Sequence, residues 1–392
     1  TMDDRKSLHS KLARTVRAIP RSGIRDFFEI VSSREGVISL GIGEPDFVTP
    51  WHIREAASLA LDRGMTSYTS NMGLLSLRRG LSRYVENKTG IHYRPEDEVL
   101  VTVGVSEGLD LAIRALVEPG DEVLYHEPSY VSYNPLIQFA YGVPVAIQTK
   151  KENGFRLTRQ DLEENVSDKT KVLLLNYPNN PTGAILSKED VEDIAAFAIE
   201  HDLIVLTDEI YDELTYDREH FSIISVPGMR ERTIYLHGFS KAWAMTGWRM
   251  GFTCAPPELT EAMMKIHQYT MLCAPILSQE AAVEALKQAD TDIAYMKAEY
   301  KKRRNYIHAS FTEMGIPCIR PDGAFYAFAD ISRFGMTAQD FALKLLDEEN
   351  VACVPGTAFG ACGEGFIRCS YATSFDAIKE AMVRIARFIE KI

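Results

Sequence analysis

Cysteine is scarce in this chain, with six in 392 residues, and Cys254, Cys273, Cys318, Cys353, Cys362 and Cys369 form no CxxC pair. A disulfide framework is therefore excluded, and no Cys/His grouping stands at metal-ligand spacing, so no metal is expected. Positive charge is also short: 43 Lys and Arg against 55 Asp and Glu leave a net charge of −12. Nucleic acid as the main partner needs clustered cations, and this balance argues against it. No apolar run nears the roughly 18 residues that cross a bilayer, so no membrane partner is expected. Thr1–Arg21 is polar and lacks the apolar segment of a secretory leader. With thiols read as reduced, the expectation is a cytoplasmic protein. Internal repeats, low-complexity tracts and heptads are absent too.

What is present is an ordinary packed composition, 46% hydrophobic and 25% charged. From Glu98 to Cys254 short apolar runs alternate with amphipathic ones. Strands are expected at Val99–Val103, Glu122–Tyr125, Val143–Ile147, Val172–Leu175, Leu203–Thr207, Thr233–Leu236 and Met250–Cys254. Helices are expected at Ser106–Val117 and Val191–Glu200. Such alternation predicts an α/β fold with a mostly parallel sheet covered by helices, and ligands outside the carboxyl ends of its strands. After Pro257 one long charged helix is expected over Ala282–Met314. Short strands (Phe325–Ala329, Ala352–Val354, Gly365–Ser370) and two helices (Thr337–Glu349, Phe375–Lys391) then read as a smaller α+β domain. Residues 1–45 lack strong periodicity and read as an arm that packs on some other surface.

The most informative string is Gly238-Phe-Ser-Lys-Ala-Trp-Ala-Met-Thr-Gly-Trp-Arg-Met-Gly251. Small residues around Lys241 let a bulky ligand approach the backbone. A desolvated lysine amine forms Schiff bases with carbonyls, and the planar fork of Arg249 suits phosphate oxygens. A ligand carrying both an aldehyde and a phosphate is pyridoxal 5′-phosphate. Taken alone, Lys241 reads as a surface lysine; the whole fourteen-residue string favours the ligand.

That string resembles the lysine signature of the class I/II, fold-type I, pyridoxal-phosphate aminotransferases. The likeness runs from Ser39-Leu-Gly-Ile-Gly-Glu-Pro-Asp-Phe47 to Phe366-Ile-Arg-Cys-Ser370. It implies a large cofactor-binding domain over residues 46–290 with a seven-stranded sheet, and an arm plus small domain from residues 1–45 and 291–392. It also implies roles. Lys241 would hold the cofactor and move the proton. Asp208, in Thr207-Asp-Glu-Ile-Tyr211, would pair with the pyridine nitrogen, and Tyr211 would donate to the phenolic oxygen. Asn180, in Asn179-Asn-Pro-Thr-Gly183, would bind that same oxygen and the substrate carboxylate. Val105, Ser106, Ser240 and Arg249 would cup the phosphate, and Tyr130 would stack on the ring. Tyr68 would reach the phosphate of a neighbouring subunit's cofactor, which requires a homodimer. Arg368 would hold the substrate carboxylate, with Gly43 beside it and Ile42 on the same wall. The resemblance further implies cis peptide bonds at Asn180–Pro181 and Glu127–Pro128.

Each residue type also has a commoner use: Asp208 as a strand-end cap, Tyr130 and Tyr211 as core aromatics, Asn180 as a turn residue. Val103-Gly-Val-Ser106 is no GxGxxG fingerprint, which counts against a nicotinamide dehydrogenase. Relatives specific for aspartate carry a second cation, an Arg ahead of a helix or a Lys in the phosphate turn; Ile266–Cys273 has no Arg and Val105-Ser-Glu107 no Lys. Aromatic or broad apolar amino acids, with 2-oxoglutarate as acceptor, are therefore expected. A C–S or other β-elimination lyase, an aminotransferase for N-acetylated diaminopimelate or for aspartate or alanine, and a regulator on the same fold stand as alternatives.

Overall fold

Parallel strands buried on both faces need near-continuous apolar runs, and β-branched and leucine-rich segments supply them here. A computed structural model of the protein describes residues 7–392; the first six residues of the polar N-terminal stretch lie outside the described residues. In chain order the first strands are β1 (Ile38–Ser39), β2 (Val99–Thr102), β3 (Glu122–Glu127), β4 (Val143–Gln148), β5 (Thr170–Asn176), β6 (Ile204–Asp208), β7 (Thr233–Gly238) and β8 (Gly251–Cys254). β2 to β8 form one seven-stranded sheet in the order β2-β8-β7-β6-β5-β3-β4. β8 runs antiparallel to both its neighbours and the other strands are parallel. No helical crossover separates β7 from β8, so the chain can return only in the opposite sense.

The remaining strands are β9 (Tyr326–Asp330), β10 (Val351–Ala352), β11 (Val354–Pro355) and β12 (Phe366–Ser370). β11, β12 and β9 make an antiparallel sheet, while β10 pairs in parallel with β1. The expected single strand Ala352–Val354 is thus divided at Cys353, because its two halves serve different partners. Helix Gly23–Ser32 of the arm buries Phe27 in a core with Tyr326, Phe341 and Ile385, and turns Ile24 and Phe28 toward another that includes Phe328 and Phe366. The arm therefore packs on its own chain.

The long helix expected over Ala282–Met314 is interrupted. Helices Ile276–Ala285 and Ala289–Glu313 are separated by a 3-10 turn, Leu286–Gln288. No Pro or Gly causes the break; tertiary packing does. Before it, Ala281, Ala282 and Ala285 pack beside Leu77 and Phe252, and Leu286 fills the space over Gly80. After it, Ile293 still belongs to that core, but Met296, Tyr300, Ile307 and Phe311 belong to the core of Phe325 and Phe341. His52 spans the break, with Nδ1 3.0 Å from Glu284 and Nε2 2.6 Å from Asp292.

The expected cis bonds at Glu127–Pro128 and Asn180–Pro181 are present, and Tyr177–Pro178 is cis as well. All six cysteines are free; Cys254, Cys353 and Cys369 are buried and the others are partly so. No helix among the described residues is long and apolar enough to cross a membrane.

One glycine contact fixes how the sheet meets the helix that follows β2. A Cβ on Gly251 would lie 2.5 Å from the carbonyl carbon of Gly104 and 2.6 Å from the amide nitrogen of Val105. Both are backbone atoms with nowhere to move. Gly251→Ala is expected to destabilise the protein by about 1–3 kcal/mol, read as a lower thermal midpoint. A variant as stable as the parent would show that the contact is slack.

Candidate active site

The carboxyl ends of the parallel strands open onto a cleft of about 600 Å³, as expected for an open α/β sheet. Successive strand ends deliver its lining. Val105 and Ser106 follow β2, Tyr130 follows β3, Asn176 ends β5, Asp208 ends β6, and Ser240 and Lys241 follow β7. The second sheet contributes Tyr326 from β9 and Arg368 from β12. Gly43, Asn180, Tyr211 and Arg249 also line it. Tyr68 does not: it is 79% exposed and outside the lining. Ile42 is likewise exposed and outside the lining, a departure from its expected place on the wall.

Asp208 is buried, and the Tyr133 hydroxyl donates to its Oδ2 at 2.5 Å while the Ile210 amide donates to Oδ1 at 3.3 Å. No Lys, Arg or His among the described residues lies in ion-pair reach. Burial accordingly pushes this carboxyl up, against the pull of the Tyr133 bond. Its neighbours in the turn are treated differently. Glu209 has His220 at 2.5 Å, with the Ser222 and Thr207 hydroxyls each at 2.8 Å. Asp212 has Lys88 and His237, and Glu213 has Lys88 at 2.6 Å. Of the four carboxylates between 208 and 213, Asp208 is the one left without a cation.

Lys241 carries the opposite charge under similar confinement. Its Nζ donates to the Gly43 carbonyl at 2.5 Å. Burial, assisted by the charge of Arg368, lowers its amine to about 8. Arg368 is itself buried; its guanidinium donates to Asn180 Oδ1 and the Gly41 carbonyl, each at 2.9 Å, and its Nε has no partner. No carboxylate within the described residues pairs with it.

Arg249 donates to the Thr246 carbonyl at 2.8 Å and lies across Gly104, where a Cβ would fall 2.6 Å from its Nη2. Gly104 starts helix Gly104–Leu116 at φ +71, so glycine meets both the backbone and the space requirement. First-turn amides of that helix have no intrahelical acceptor and face an anion-binding end. A buried lone carboxylate, a low-pKa amine, a buried lone guanidinium and a cationic helix end thus share one cleft.

Several lining residues escaped the sequence reading. Tyr133 stands three positions after Tyr130 and opens a helix, and the two rings meet edge-on at 5.6 Å between centres. The Asn176 side chain donates to the Asp208 carbonyl at 3.1 Å and accepts from the Asn180 amide at 3.2 Å. Tyr326 lies 2.6 Å from Tyr211, hydroxyl to hydroxyl. Ile24 and Phe28 come from the arm. None of these carries a local motif.

The sequence profile of the family described as "Aminotransferase class I and II" matches residues 35–385. The Bacillus subtilis protein named "Putative aminotransferase YugH" is 53% identical over 97% of this chain and 99% of its own length. An aspartate aminotransferase of Pyrococcus abyssi is 44% identical over 94% of this chain and 96% of its own. The crystal structure of an aromatic aminotransferase from Pyrococcus horikoshii superposes with a TM-score of 0.90 at 44% identity, covering 94% of this chain and 99% of the other.

The state of the Lys241 amine can be measured directly. An amine-reactive reagent should label Lys241 in the cofactor-free protein with a rate that rises with pH about a midpoint near 8. A midpoint at the usual lysine value near 10.4 would show a solvated amine.

Proposed function

The chain belongs to the class I and II aminotransferases, and on that premise we propose how its cleft divides the work and which amino acids it takes. The enzyme moves an amino group between an amino acid and a 2-oxo acid with pyridoxal 5′-phosphate. The residues present fit that group. Asp208 is a buried carboxylate with no cation in reach among the described residues, Arg249 and the helix end at Gly104 form a cradle suited to an anion, and Lys241 is an amine lowered to about 8. Bound there, the cofactor supplies an aldehyde for the amine and an electron sink for the substrate α-carbon.

The protein supplies position and protons. Val105, Ser106, Ser240 and Arg249 would hold the phosphate, and Tyr130 would lie against the ring. Asp208 would keep a proton on the ring nitrogen, gaining the cationic partner it otherwise lacks. Tyr211 and Asn180 would donate to the phenolic oxygen. Lys241, once displaced by the incoming amine, would carry a proton across the C–N bond from the substrate α-carbon; an amine near 8 is close to neutral pH, which suits both taking and returning it. Arg368 would grip the substrate carboxylate in a two-pronged pair beside Gly43. A second copy of this chain would bring Tyr68 to the phosphate of its neighbour; the exposure of Tyr68 (79%), Trp51 (65%) and Tyr269 (86%) supports such a homodimer.

One observation carries the substrate preference. Lys241, Arg249 and Arg368 are the cations lining the cleft among the described residues, and an aldehyde, a phosphate and one carboxylate use all of them. Nothing is left for a distal carboxylate, while Ile24, Phe28, Val131 and Phe359 offer apolar wall. Aromatic or broad apolar amino acids are therefore the proposed donors, with a 2-oxo acid as acceptor.

A donor screen on the purified, cofactor-loaded protein tests this. Phenylalanine or tyrosine should exceed aspartate in kcat/KM by about tenfold or more, since an unpaired carboxylate in an apolar pocket is heavily penalised. Aspartate at parity or better overturns the preference. Lys241→Ala should lower turnover by about 10²–10⁴-fold; normal turnover in that variant would end the assignment of Lys241.

A further inference from the structure

Tyr326 meets three of the cleft's working groups at once. It begins β9 and is completely buried. Its hydroxyl oxygen lies 2.6 Å from that of Tyr211. Its ring lies beneath the Arg368 guanidinium, 4.3 Å from carbon to ring centre. A Cβ on Gly43 would come within 3.1 Å of its hydroxyl oxygen. One residue of the second sheet therefore abuts the proposed donor to the phenolic oxygen, the proposed carboxylate grip, and the backbone that holds Lys241.

The Tyr211–Tyr326 pair shares one hydrogen bond, and neither hydroxyl has another partner among the described residues. One oxygen must accept, and the accepting residue keeps its own proton free for a ligand. Tyr326 is hemmed in at its oxygen by the Gly43 backbone. Its proton has a ready acceptor in Tyr211, and Tyr211 is then the residue with a proton to direct into the cleft. A hydroxyl that accepts becomes a stronger donor, because linked hydrogen bonds polarise one another. The ring's contact with Arg368 is a separate interaction: a guanidinium carbon 4.3 Å from the ring centre is held from one side while the outer N–H groups remain for carboxylate oxygens.

The geometry points to Tyr326 as a positioning residue with two separable jobs: its hydroxyl donates to Tyr211 and aims the Tyr211 proton at the cofactor's phenolic oxygen, and its ring is the platform that orients Arg368 toward the substrate carboxylate. This rests on the roles proposed above for Tyr211 and Arg368.

Two substitutions separate the jobs. Tyr326→Phe keeps the ring and removes the hydroxyl. With a weaker donor on it, the phenolic oxygen holds the proton on the Lys241 nitrogen more firmly. The pH midpoint of the visible-band change of the cofactor-loaded protein should then rise by about 0.5–1 unit. KM for amino and oxo acids should stay within about twofold of the parent. Tyr326→Leu removes the ring too, and its KM for both substrates should exceed that of Tyr326→Phe by about tenfold. If the Leu variant does not accumulate, Tyr326→Met takes its place. A tyrosine serving packing alone would move neither the absorbance midpoint nor the difference in KM. An unmoved midpoint in Tyr326→Phe, or equal KM in the two variants, overturns the inference. Tyr211→Phe and Arg368→Lys, measured alongside, tell the failures apart. If these matter and the Tyr326 variants do not, this inference alone falls; if they are silent, the underlying assignment falls with it.

Discussion

A carboxylate and a guanidinium enclosed in the same protein without counter-ions are the constraint around which this structure is arranged. Asp208 and Arg368 are both buried and neither has a charged partner among the described residues. Desolvation disfavours each charge, and neutral dipoles offset part of the cost: a tyrosine hydroxyl and an amide for Asp208, an asparagine oxygen and a backbone carbonyl for Arg368. The partial compensation is informative. In the same turn Glu209, Asp212 and Glu213 all have basic partners, His220, His237 and Lys88, brought from other parts of the chain, so the missing partner at Asp208 is particular to that carboxylate. Each lone charge faces the cleft, where a ligand of opposite sign completes it. The ring nitrogen and the substrate carboxylate of an aminotransferase are ligands of those signs.

The fold makes this arrangement possible by dividing the charges between two sheets. Asp208 ends a strand of the mostly parallel sheet and Arg368 lies in the antiparallel one, and no ion pair joins them. The two sheets are joined by shared apolar cores and by a small set of polar contacts across the cleft. Tyr211 meets Tyr326, Arg368 meets Asn180, and Lys241 meets the Gly43 carbonyl. Farther out, Arg303 pairs with Asp46 at 2.8 and 3.0 Å, tying the segment that carries Gly43 to the long helix Ala289–Glu313. That helix changes cores between Ile293 and Met296, and so belongs to both sides.

The legible part of the molecule was the part whose function is written in consecutive residues. Strand ends followed by Gly-Val-Ser, Asp-Glu-Ile-Tyr or Ser-Lys announce themselves, because a parallel sheet brings the residues after its strands to one edge whatever lies between them. The buried seven-stranded sheet was legible for the same reason. Tyr326, Tyr133 and Asn176 were not, since each acts by touching a residue distant in sequence and has no string of its own. The break at Leu286–Gln288 was hidden because local propensity favours one helix, and only the diverging demands of two cores bend it. The exposed Ile42 was misjudged by its neighbourhood: the segment approaches the cleft through its backbone, and Gly43 offers a carbonyl where Ile42 offers nothing.

The three cations of the cleft also bear on why an acidic protein handles anionic substrates. At −12 overall, the chain repels anions at long range. Ionic strength screens that field within roughly 8–10 Å, while charges inside a low-dielectric cleft act at full strength over a few ångströms. Net charge therefore bears on solubility and encounter, and on the proposed assignment the lone charges of Asp208 and Arg368 bear on what stays bound. A further basic residue in the cleft would admit a second carboxylate, but it would also lower the Lys241 amine beyond the effect Arg368 already has. On the proposed assignment of Lys241, proton transfer at that amine and tolerance of a dicarboxylate substrate are opposed demands on one pocket, and three cations with an apolar wall favour the amine.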